Sequence, residues 1–369
     1  MEDNNDLIPI GQMIFILMLT IVGAGILTLP RDLAVMVESD HWIILLVGGF
    51  IALVAVLVHG AIIRLKPRKH YFDILCDALT KPIAYLVGFA YVIYLIIAVG
   101  SIVRIFGDGI KMYLLANTPI EVINISMLVT CVYLARKGIE VLGRMLQFLV
   151  PILIVLSTFI ICLTLTKSDF TNLLPVFQIT FQDILKGIPT TVLSFAGFEV
   201  LLFFGVFLDK PKKATWGSIA IIVVLIYYIS ILIATLAQFG PIQMKYLLWP
   251  TLDLFDTIEL PGLFIENVQV ILMSLWVLFT FSSMAPTYLA SVVMVKSLTG
   301  SRDQAYLAAP LLPFIYFASI IPENIAEAYK IIGIYSKYFA STMTFGIPII
   351  VLVSLVIQKK LGKETGANA

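Results

Sequence analysis

"TIVGAGILTLP", residues 20–30, lies inside an apolar segment long enough to cross a membrane, yet it carries two glycines one residue apart and ends in proline. Glycine and proline are the weakest helix formers, and inside a bilayer no water replaces a lost backbone hydrogen bond. Two physical solutions exist. The glycines are small surfaces that let another helix pack closely, or the backbone opens here because it lines a polar cavity, which glycine permits without steric penalty. A second apolar segment raises the same question: "LSFAGFEVLLFF", residues 193–204, holds Ser194, Gly197 and the charged Glu199.

The 369 residues are 60% hydrophobic and 13% charged, against roughly half and a quarter in soluble domains. This is the composition of an integral membrane protein, and long uncharged runs recur along the whole chain. Ten candidate spans are expected, near 11–33, 43–63, 83–107, 119–135, 145–166, 187–208, 215–239, 263–291, 304–321 and 331–357. The acidic start "MEDNNDLIPI" lacks the pattern of a secretory signal, so the first span is expected to remain in the protein. No linker or low-complexity tract interrupts the series, and one domain over 1–369 is expected.

With the N-terminus inside, alternate loops place sixteen Lys and Arg on the cytoplasmic side and seven outside. That bias supports ten spans with both termini cytoplasmic. The net charge of +1 gives no sign of a nucleic-acid partner; membrane lipid is the expected surrounding. Three scattered cysteines and three histidines form no metal-ligand spacing or disulfide framework, so no metal or other cofactor is expected. No paired nucleophile and base and no phosphate loop is present, which argues against an enzyme.

Segments one and six occupy matching positions in two five-helix halves, about 11–166 and 187–357. Five is odd, so the second half enters from the opposite side, as in inverted-repeat transporters whose glycine-interrupted helices mark the binding site. A half-helix starting after Gly25 would offer N–H groups and a positive dipole end to a carboxylate. Carbonyls released before Gly197 would accept from an ammonium group. A zwitterionic amino acid satisfies both ends, and few charges nearby favour a small apolar one such as alanine, valine or proline. Backbone candidates are Gly23, Ala24, Gly25 and Ile26 in segment one, and Phe195, Ala196, Gly197 and Phe198 in segment six. A side chain at Gly23 or Gly25 is expected to abolish the response without loss of folding.

Glu199 is the lone acid in the middle of a span. It is either an ammonium partner or proton-sensitive gate, or a cap for the second half of its helix. Arg104 and Asp108, four apart on one helical face, form a structural pair, an outer gate or a subunit contact. Deeper on that helix, Ala98, Ser101 and Ile102 share a face by three- and four-residue spacing. Met343 or Thr342 in the last span either closes the pocket or packs. "HYFDILCDAL", residues 70–79, has helical periodicity suited to the inner interface.

"GAGILTLP" and "SFAGFE" together resemble the amino acid–polyamine–organocation transporter superfamily. The chain is more closely similar to the B subunits of the nutrient germinant receptors of endospore-forming bacteria. "RIFGDGIKMYLL" at 104–115, "TPIEVI" at 118–123, "DKPKKA" at 209–214, the 247–269 loop and "YSKY" at 335–338 support this by their order and spacing. The resemblance implies an all-α, ten-helix LeuT-like fold, a 5+5 inverted repeat with broken helices one and six, in the spore inner membrane. It implies assembly with an A subunit and a C-subunit lipoprotein, and the sensing of a small nutrient that triggers germination. Related transporters place hydroxyls on helix eight around a sodium ion, which makes Ser282 and Ser283 possible ligands, although such residues also serve packing. The lysine that some proton-coupled relatives carry in helix five is missing between Arg144 and Lys167. A Na⁺- or H⁺-coupled amino acid transporter and a scaffold without ligand are the competing readings.

Overall fold

The computed structural model describes residues 7–37, 40–166, 168–257 and 268–367. Thirteen α-helices are present among them: α1 Ile10–Met36, α2 His41–Leu65, α3 Tyr71–Ala78, α4 Lys81–Tyr113, α5 Ile120–Leu165, α6 Phe181–Ser194, α7 Val200–Phe204, α8 Ser218–Met244, α9 Pro250–Asp256, α10 Val268–Thr299, α11 Gln304–Ile320, α12 Ile325–Ile334 and α13 Ile347–Ala367. Apolar backbone in lipid must satisfy its own hydrogen bonds, and helices do so within one segment. By length and composition, six described helical stretches can cross a membrane, and the bent α1 makes a seventh.

The two halves meet through their counterparts. α1 packs on α6, α2 on α8, α4 on α10 and α5 on α11. α10 is buried along most of its length, between α1, α4 and α5. α3 is short and amphipathic: Tyr71, Phe72, Ile74 and Leu75 face the protein and Asp73 faces out. Lys66 and Lys69 both reach Asp77 at its end, 2.8 and 2.7 Å away, and their ammonium groups hold that carboxyl below the usual range.

Segments four and five are two helical runs that meet at Gly138, whose φ of 85° and ψ of −178° belong to glycine, so a one-residue kink stands where a longer loop over 136–144 is expected. Ile139, Leu142 and Leu146 are buried just past it and anchor the second run. Segment one is broken at the expected place: Ile10–Gly23 and Gly25–Met36 meet at 51°. The last segment is not uniformly α-helical, because 335–340 and 342–346 are wound as π-helix between α12 and α13.

Segment six opens as well. α6 ends at Ser194, α7 begins at Val200, and the residues between are turns. Two loop devices hold the ends. Asp40, in the left-handed region with φ 61°, accepts the amides of Phe177, Gln178 and Ile179. Ile8 pairs with Leu208 in an isolated parallel bridge: Ile8 donates to the Phe207 carbonyl at 2.9 Å and accepts from the Asp209 amide at 3.1 Å.

Candidate functional site

The opening of segment six is built on Gly197, whose φ is +115°. A β-carbon here would lie 2.9 Å from the Thr20 carbonyl oxygen of α1, so glycine is required by conformation and by close approach. Gly25 does the same from the other side, where a β-carbon would sit 2.9 Å from the Ser194 carbonyl oxygen. The Tyr228 hydroxyl of α8 is 3.0 Å from the Ile21 carbonyl and 2.9 Å from that of Ser194, and it ties the two segments together.

Glu199 is buried at this opening. Its carboxylate accepts the Gly197 amide at 2.8 Å and the Tyr94 hydroxyl at 2.6 Å. The capping role thus takes a particular form: the carboxylate folds back onto the amide two residues before it, and gives no side-chain cap to α7. Tyr94, on α4, stacks on Tyr335 with 16° between planes, and the Tyr335 hydroxyl donates to the Tyr94 carbonyl at 2.8 Å. Segments three, six and ten are joined through these groups.

Around them lies a cavity of about 570 Å³. Its walls bring together Gly25, Ala98, Ser101, Ile102, Ala196, Gly197, Glu199 and Ser283 from the sequence expectations. They also include Tyr94, Thr28, Arg31, Asp32, Tyr329, Ile332, Tyr335, Ser336 and Ala340. Asp32 accepts a hydrogen bond from Thr28 and lies beside Arg31. Tyr94 was legible in principle, since it stands four residues before Ala98 on the same helical face.

Other expected residues lie elsewhere. A β-carbon on Gly23 would fall 2.1 Å from that of Ser283, so Gly23 is a helix-packing surface. The side chain of Ala24 is outside the described residues. Ile26 borders a separate small apolar cavity of about 30 Å³ beside Trp276 and Phe279, and its carbonyl accepts from Thr251. Phe195 packs on Tyr228, and Phe198 between His59 and Phe345. Met343 is buried, and its carbonyl accepts from the Tyr91 hydroxyl at 2.7 Å.

Arg104 and Asp108 pair at 2.9 Å, and Arg104 also reaches the Glu323 carbonyl at 3.4 Å. That contact joins the C-terminal part of α4 to the turn before α12. Ser283 donates to the Thr20 carbonyl at 2.6 Å, while the buried Ser282 hydroxyl has no hydrogen-bond partner among the described residues. No group of His, Cys, Asp or Glu suited to a metal occurs among the described residues.

In solved structures this architecture matches the transporter MhsT in complex with L-phenylalanine, with a TM-score of 0.66 at 15% identity over 94% of this chain and 97% of that one. The fold is therefore the LeuT-like transporter fold. Among curated proteins, spore germination protein YndE of Bacillus subtilis (strain 168) is 26% identical over 94% of this chain and 95% of its own. Spore germination protein B2 of the same strain is 24% identical, covering 95% and 96%. Spore germination protein GerLB of Bacillus cereus is 27% identical, covering 95% and 93%. These relatives and the fold are of permease type, not enzymes. A family model described as spore germination protein matches residues 7–328, and on that match the chain belongs to the spore germination protein family of multi-pass, permease-like membrane proteins.

Proposed function

We propose that the chain is the membrane-embedded B subunit of a germinant receptor, and that a small nutrient occupies the cavity between α1, α4, segment six and α12. The observation carrying this reading is the opened backbone at Gly197 with the buried Glu199 beside it, set in a cavity large enough for a small solute. Glu199 supplies a negative pole for an ammonium group, because each carboxylate oxygen keeps a lone pair beyond the bond it already accepts. Arg31 and Ser101 offer donors to a carboxylate, while Ala98, Ile102, Ile332 and Ala340 leave room for a small apolar side chain. Occupancy shifts the population of two arrangements by its differential affinity for them. An A subunit and a C-subunit lipoprotein receive the shift. The chain is one domain of two repeats, about 11–166 and 187–357, in the spore inner membrane with both termini cytoplasmic.

The test is binding of an amino acid panel to the purified protein by thermal shift and radioligand. Ala98→Phe should weaken selective binding about ten-fold or more, since overpacking a filled site costs about 1–3 kcal/mol, with the unliganded melting temperature retained. Equal affinity in the variant would remove the site from this cavity. The unpartnered Ser282 hydroxyl favours a second reading, an ion-coupled transporter; sodium-dependent uptake by proteoliposomes would establish it.

A further inference from the structure

Tyr329, on α12, forms part of the wall of the central cavity and is half-buried there. Its oxygen lies 2.6 Å from Nε1 of Trp249, the residue immediately ahead of α9. An indole N–H only donates, so the phenol oxygen is the acceptor and the hydrogen of Tyr329 has to point elsewhere. No acceptor takes that hydrogen among the described residues. The indole itself is fixed: Trp249 is fully buried, with the rings of Tyr113 and Trp276 centred 5.8 and 6.4 Å away. Two residues on, the Thr251 hydroxyl donates to the Ile26 carbonyl at 2.8 Å and fastens the same stretch to α1.

Charges on the same wall tell what the hydrogen faces. Arg31, Asp32 and Asp108 lie within electrostatic reach of the Tyr329 hydroxyl, and the first two line the cavity with it. Asp32 already accepts from Thr28, and Asp108 is paired with Arg104. The half-buried Arg31 makes no hydrogen bond or close ion pair among the described residues. Two unused donors, one of them cationic, therefore share this part of the cavity. A cationic solute is repelled by Arg31. A neutral amide brings an oxygen without a charge, whereas a carboxylate brings two oxygens and the opposite charge, and hydrogen bonds to ionised groups are roughly twice as strong as neutral ones.

We propose that Tyr329 and Arg31 together form a carboxylate subsite in the central cavity, with Tyr329 selecting a carboxylate over a neutral oxygen and Trp249 as its positioning residue. The inference deepens the nutrient reading of the cavity and rests on it, since Glu199 takes the ammonium end of the same ligand. Trp249 acts through Tyr329: by occupying the phenol oxygen it decides which way the hydroxyl hydrogen is presented.

The experiment is phenylglyoxal modification of Arg31 in the purified full chain, mapped by mass spectrometry, with the exposed Arg64 at the end of α2 as internal control. Isovalerate should protect Arg31 at a concentration about ten-fold or more below that of isovaleramide, the effect of a hydrogen bond to a charged group, and Arg64 should be protected by neither. Tyr329→Phe should cut that preference about five-fold, and Trp249→Phe, which keeps the phenol but frees it to turn, about two- to three-fold. The second variant carries the reading if the first does not fold. Valine and valinamide separate the subsite from the amino acid reading. Protection by isovalerate but not by valine would leave the subsite standing and remove the amino acid. Protection by valine that valinamide matches would keep the nutrient in the cavity and overturn the subsite. Absence of protection by isovalerate, equal protection by its amide, or a preference that survives both variants would each overturn it as well.

Discussion

Glu199 shows how one charge is made tolerable inside a span. Both carboxylate oxygens hold groups that would otherwise be orphaned, the Gly197 amide and the Tyr94 hydroxyl. Glu199→Ala leaves a buried N–H unpaired, a loss of about 1–3 kcal/mol. Glu199→Gln keeps an acceptor for that amide and a donor for the tyrosine oxygen. The alanine variant should melt several degrees below wild type and the glutamine variant close to it; equal losses would show that charge, not hydrogen bonding, matters for stability. Gly23 is a case of contact without ligand. Its β-carbon would collide with Ser283, so Gly23→Ala should destabilise by about 1–3 kcal/mol, and Ser283→Gly should restore much of that in the double variant. If Gly23→Ala keeps wild-type stability, the close approach drawn here is absent.

At the scale of elements, Gly138 separates two helical runs with a single residue. Its backbone lies in a region essentially closed to side chains, so Gly138→Ala should cost about 1–3 kcal/mol. Gly143→Ala, five residues on, meets only the Gln12 side chain at 3.1 Å and should cost less; thermal denaturation of both variants checks the order. The apolar runs were legible in the sequence because lipid demands them, and so was the special status of Gly197, since a charge and a glycine rarely meet in a span without reason. The rotation of the last segment was not. Its π-helical turns advance the chain by more than the usual 3.6 residues per turn, which places Tyr335, Ser336 and Ala340 on the cavity and turns Met343 away. Bend and opening were also indistinguishable from composition. Gly23 and Gly25 are filled by Ser283 and Ser194, whereas Gly197 is fixed by its own dihedral angle.

Across the whole molecule, three counterpart contacts between the halves, α2 with α8, α4 with α10 and α5 with α11, make a frame around segments one and six. The frame is closed at one end by the pairing of residue 8 with residues 207 and 209. Ile8→Pro removes the amide that donates to Phe207. Hydrogen exchange should then rise at 205–209 while α2 and α4 keep their protection; unchanged exchange there would mean that the bridge contributes nothing. The bridge has a mechanical corollary. Two hydrogen bonds couple the residue just ahead of α1 to the stretch just beyond α7, so a displacement of the far end of segment six pulls directly on the entry to segment one.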